Sequence, residues 1–166
     1  MTIQTIKKAF YILTFSLAIL ITGCASVHMA SPAEDKYAKE FKKPSNGKGS
    51  LYIVRDSLRG QTSVLELSIN GMSVAKTAPN TFVQFELPEG RYYIGSRGEN
   101  YEQRPLYIVA GQLYFFRQNV STGWNDFRTD LSQISDHEGR AAISSASMAS
   151  KMVFDEDIRP IQKRDQ

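Results

Sequence analysis

The side chains able to do covalent or acid–base chemistry are few in this sequence, and they are scattered. There are two histidines, His28 and His137, and one cysteine, Cys24. Neither histidine recurs at a metal-ligand spacing with other His, Cys or paired carboxylates, so neither metal nor other cofactor is expected. His28 reads as a solvated linker residue and His137 as a surface residue of a first helical turn. Asp136 and His137 precede a serine cluster, Ser144 to Ser150, that has no evident base partner. No G-x-S-x-G, no phosphate-cradling glycine loop and no H-E-x-x-H occurs. Catalysis needs groups that converge, and this spacing disfavours it.

A lone thiol has no partner within the chain, so a disulfide is excluded. The setting of Cys24 gives it another use. Lys7 and Lys8 form a short positive flank, and Ala9 to Ile21 is almost wholly apolar. A spanning helix needs about 20 apolar residues, and this run is nearer a signal-peptide core. It ends in Ile21-Thr22-Gly23-Cys24, which resembles the lipobox of bacterial lipoproteins, cut between Gly23 and Cys24. The resemblance implies that Cys24 carries a diacylglycerol, and that Ala25, rather than an aspartate, sends the protein to the periplasmic face of an outer membrane. One acyl chain anchors only marginally, at about 0.8 kcal/mol per buried CH₂, so a multiply acylated cysteine is what would prevent release.

Without residues 1–23, the chain is still long enough for one domain with its own core. Of 20 Lys and Arg, Lys7 and Lys8 belong to that leader, and the remaining cations nearly balance 17 Asp and Glu. Phosphate-backbone binding requires a dense basic surface, so nucleic acid is not an expected partner.

Residues 24–48 read as a lipidated tether, partly helical from Ser31-Pro32 and broken by Pro44, Gly47 and Gly49. From Ser50 the apolar period becomes two. The run "SLYIVRD" alternates as a central strand, and "SVLELSINGMSVAK" is a hairpin turning at Asn70-Gly71. "TFVQFELPEGRYYIGS" and "RPLYIVAGQLYFFRQNV" read as two more hairpins, turning at Pro88-Glu89-Gly90 and Ala110-Gly111. Seven or so short strands joined by Gly and Pro turns indicate an antiparallel sandwich or barrel. A polar loop around Trp124 precedes a further short strand, Phe127 to Leu131. Ser135 and Glu138 match a capping box at the head of a short, glycine-containing helix. The charged end, 150–166, reads either as an edge strand at Met152 to Phe154 plus a frayed tail, or as disorder.

The runs "GSLYIVRD", "LSINGMSVA", "FELPEGRYYI" and "IVAGQLYFFRQ" resemble the DUF2846 family of bacterial envelope lipoproteins over about residues 42–145. These motifs are strands and turns, so the resemblance implies a fold more than an activity. That fold is an all-β, immunoglobulin- or transthyretin-like antiparallel β-sandwich of about seven to eight strands, with a short C-terminal helix. The domain is expected over 49–149.

Two sets of residues are candidate contacts. Arg55 and Arg117 each interrupt an apolar strand, and both match positions where that family carries a basic residue. They either lie side by side and hold an anionic ligand or a partner carboxylate, or each snorkels to the sheet edge or pairs with an internal acid such as Glu66 or Glu86. Tyr92, Tyr93, Tyr101, Tyr107 and Tyr114, with Arg97, Arg104 and Arg128 nearby, offer either a glycan- or peptide-binding surface or ordinary core and cross-strand pairs. Trp124, in a polar loop, is the leading contact residue. The expectation is a non-enzymatic, lipid-anchored sandwich that binds or positions an envelope protein, peptidoglycan or lipopolysaccharide. The rival readings are a hydrolase of envelope polymers, which needs His137, Asp136 and a serine together, and a purely structural lipoprotein.

Overall fold

A computed structural model describes residues 26–162. The predicted signal peptide, its cleavage site and Cys24 lie outside the described residues. The chain forms helix α1 (Pro32–Ala38), then strands β1 (Lys48–Arg55), β2 (Leu65–Ile69), β3 (Met72–Thr77), β4 (Thr81–Pro88), β5 (Gly90–Arg97), β6 (Tyr101–Ile108), β7 (Leu113–Thr122) and β8 (Phe127–Ile134). Helix α2 (Asp136–Ser145), strand β9 (Ser147–Met148) and a 3₁₀ turn at Asp155–Asp157 follow. No helix among the described residues is long and apolar enough to cross a membrane.

Period-two alternation produces the expected all-β sandwich. One sheet has the order β8-β7-β1-β4-β9 and the other β3-β2-β5-β6. Leu51, Ile53, Leu67, Val83, Phe85 and Ile94 are buried between them. β1 is central because both its faces are apolar. Tyr52 and Val54 turn to the opposite side, where Phe82, Phe115 and Ile143 complete a second cluster beneath the helices. The sandwich is not purely antiparallel, since β1 runs parallel to β7 and β4 parallel to β9.

The Asn70-Gly71 hairpin forms as read. β2 pairs with β3, and both turn residues have positive φ, 52° and 82°. The other two expected hairpins do not form. β4 and β5 sit in different sheets, and so do β6 and β7. Each connection is an arch over the core rather than a turn within a layer. β1 takes β4 and β7 as its two neighbours, so β5 pairs with β2 and β6 instead. Proline and glycine bend the chain equally well in either case, and competition for strand edges decides the outcome. The remaining hairpins are β5–β6, at 98–100, and β7–β8, at 123–126.

Both helices start on a complete capping box, Ser31 with Glu34 and Ser135 with Glu138. Gly139 looks like a flaw in α2, but a Cβ there would stand 2.3 Å from Phe115 Cγ. The glycine lets the helix lie directly on β7.

Two boundaries need correction. The described part of 24–48 is not a free tether. Ser150 N donates to His28 O at 2.8 Å and Ala30 N to Met148 O at 2.9 Å. Tyr52 Oη donates to Ala38 O at 3.0 Å, and the Phe41 ring packs on Tyr52 and Phe115. Ala38 and Phe41 cover an apolar sheet face that would otherwise meet water. Nor is 150–162 frayed. Met152 N donates to Val74 O, Ile161 N donates to Arg91 O, and Ile158 is buried. The late strand is Ser147–Met148, not Met152 to Phe154. The domain therefore runs from about residue 28 to 161 rather than 49–149.

Candidate functional site

Three loops meet at one end of the sandwich: 56–64 between β1 and β2, 98–100 between β5 and β6, and 123–126 between β7 and β8. Trp124 stands at the tip of the last, 92 % exposed. Its loop is held from outside its own hairpin. The Glu99 carboxylate accepts from Asn125 N at 2.8 Å and Asp126 N at 3.0 Å. Ser63 Oγ donates to Asp126 Oδ1 at 3.0 Å, and within the turn itself Gly123 N donates to Asp126 O at 2.8 Å. The backbone N–H groups offered to Glu99 hold its carboxyl below its ordinary value.

Arg97 reaches the same end from the outer face of the four-stranded sheet. Its guanidinium lies 4.6 Å from the Tyr101 ring centre and 3.8 Å from Glu66. Tyr101 also shares a hydrogen bond with Ser68 and accepts one from Gln103. Arg104 stands apart, partway along β6. It donates to Leu131 O of β8 at 3.1 Å and pairs with Glu102 at 3.0 Å, clipping the edges of the two sheets together. Of the tyrosines, Tyr92 is core, and its hydroxyl donates to Pro88 O. Tyr93, Tyr101 and Tyr107 are exposed.

Arg55 and Arg117 do not form a shared site. Arg55 is in phase with Leu51 and Ile53 and points between the sheets, whereas Arg117 is in phase with Phe115 on the helix side. Arg117 pairs with Asp56 at 3.0 Å, not with Glu66 or Glu86. Arg55 is fully buried and, among the described residues, pairs with no carboxylate. It donates to Ser63 O and Gly60 O at 2.9 and 2.8 Å, and to Thr77 O at 3.1 Å, while its Nε has no partner among the described residues. Burial pushes its pKa down to about 10, so it remains a cation at neutral pH.

Arg55 starts a buried polar chain that sequence reasoning missed. Thr77 donates to Gln118 Oε1, Gln118 Nε2 donates to Ser96 Oγ at 2.7 Å, and Ser96 shares a bond with Thr129. The available signal is phase, because Arg55 and Gln118 each occupy a position where the strand's alternation calls for an apolar side chain. The chain of bonds braces the 56–64 loop against both sheets. It offers hydrogen bonds but no group poised to attack or to exchange a proton.

Asp136 and three of the nearby serines are held within their own helix and its cap. Asp136 accepts from Arg140 at 2.7 Å, and Ser135 is engaged by Glu138 in the helix cap. Ser144 and Ser145 donate to carbonyls of their own helix. His28 and His137 are both exposed. Among the described residues, no group of three or more His, Cys, Asp or Glu is placed to hold a metal ion.

No family model matches the chain, and no solved structure matches it. It is 35 % identical over 135 residues to an uncharacterized protein of Haemophilus influenzae, an alignment that spans 80 % of each chain. At that identity and coverage, this chain belongs to the same family as the Haemophilus influenzae protein.

Proposed function

We propose that this protein is a non-enzymatic lipoprotein of the bacterial envelope, of the DUF2846 type, in which Cys24 carries the lipid and the sandwich presents the Trp124 loop to an envelope component. The periplasmic face of an outer membrane is the location this reading gives it. The observation that carries it is the exposed tryptophan on a braced loop. A large aromatic in water has apolar area to bury, and a pre-ordered loop loses little further entropy on binding. Arg97, on its platform of Tyr101, sits at the same end and supplies the second type of side chain enriched in contact hot spots. The partner is an envelope protein or a glycan.

The test is crosslinking in living cells with a photoreactive group at position 124, followed by mass spectrometry, with Cys24→Ala as control. A discrete protein or glycan adduct that needs the anchor supports the binding module and names its partner. Absence of any adduct from a correctly anchored protein removes Trp124 as the contact residue.

A further inference from the structure

Ser26 lies in a cleft of about 350 Å³ with Val64, Lys76 and Met152. Here the chain closes the side of the sandwich. Ser147 and Met148 pair with β4 in one sheet, and Lys151 bridges to Ala75 of β3 in the other. The segment after Ser26 has no slack, since His28 and Ala30 are hydrogen-bonded to Ser150 and Met148. Only Ala25 separates Ser26 from Cys24, and two Cα–Cα steps span at most about 7.6 Å. A lipid on Cys24 thus brings the membrane surface to this edge. The same edge exposes apolar side chains: Phe154 is 79 % exposed and Met152 54 %, with Met29 and Val64 at about two-fifths. Phe154 and Met152 also line a second cleft, beside Ala30 and Met148. Single exposed apolar residues are ordinary, but a cluster around the point of attachment marks a contact surface.

We infer that this edge rests on the bilayer that holds the anchor, with Met152 and Phe154 at the boundary between headgroups and acyl chains. The inference rests on the lipidated Cys24 of the proposed function. Lys76, exposed at the first cleft, supplies a cation that suits a phosphate headgroup. The orientation has a consequence for Trp124. β9 and β8 are the two opposite edges of the five-stranded sheet. Three strand spacings, roughly 14 Å at about 4.8 Å each, separate β9 from β7. Standing on the β9 side, the domain sets β7 and β8 farther from the lipid than β4, with Trp124 reaching past the 56–64 loop that joins the two regions through Val64 and Ser63.

Trp124 is the sole tryptophan, so fluorescence reports one position at a time. The full acylated protein is placed in phosphatidylethanolamine–phosphatidylglycerol vesicles containing a phosphatidylcholine with brominated chains, which quenches nearby indoles. Phe154→Trp in a Trp124→Phe background is expected to lose emission, and wild-type Trp124 to keep it. Met152→Trp in the same background is a second reporter at an exposed position and is expected to lose emission as well. Unquenched indoles at 152 and 154, or a quenched Trp124, overturn the orientation. The intact mass of the protein reads the acyl chains independently. A mature chain without them overturns the anchor itself, whereas an acylated protein unquenched at 152 and 154 overturns only the docking.

Discussion

Glu99 decides how Trp124 is displayed. Its carboxylate sits on the β5–β6 hairpin and receives backbone N–H groups from the β7–β8 hairpin, so one side chain ties the two tips together. Glu99→Ala is expected to lower the fluorescence anisotropy of Trp124 while leaving the unfolding midpoint nearly unchanged. The pH dependence has a definite sign. The carboxyl is held below its ordinary 4.5 in the folded protein. The loop is therefore fully braced above about pH 4.5 and released as pH falls through the lowered value, the carboxylate being the acceptor. Wild-type anisotropy should fall in that acid range, and the alanine variant should show no such step. Trp124 was legible in the sequence because a lone tryptophan among Gly, Asn and Asp has no apolar neighbours to join. Glu99 was not legible, since nothing local marks a glutamate whose partners lie on another hairpin.

At the scale of elements, the connections divide into those set by local chemistry and those set by packing. Asn70-Gly71 forms a tight turn because both residues accept positive φ, and the capping boxes of both helices are complete within four residues. The Pro88 and Gly111 connections carry similar signals yet cross between sheets. Gly139 reverses the ordinary rule. An alanine in place of glycine normally favours a helix by about 1 kcal/mol. Here the added methyl meets the Phe115 ring, so Gly139→Ala is expected to destabilise the protein by about 1–3 kcal/mol, the usual cost of overpacking. Urea unfolding of the two forms measures it, and a stabilised variant would show that α2 has room to lift off β7.

As a whole, the molecule has three layers: helices, five-stranded sheet and four-stranded sheet. The helices and the segment before β1 cover the outer face of the first sheet, while Tyr93, Tyr101 and Tyr107 on the second remain exposed. Desolvation under that cover pushes the Tyr52 phenol up to about 12. A chain lacking residues 26–43 would bare Tyr52 and Phe115. It is expected to lose about 3–5 kcal/mol in denaturant unfolding, the range for removing a buried aromatic from a core. Equal stability would return the segment to the role of a tether.

The sequence by itself determined the strand content, the sandwich class, both helix starts, one tight hairpin and the isolated tryptophan. Each depends on residues close together in the chain, through side-chain alternation, capping hydrogen bonds or positive φ. Only the tertiary structure decided which strands share a sheet, that Arg55 and Arg117 face opposite ways, that Arg55 begins a buried polar chain, and that residues 28–41 are part of the domain. Those outcomes depend on competition among distant segments for the same strand edges and the same apolar surface. That competition is resolved by packing, and no local pattern records its result.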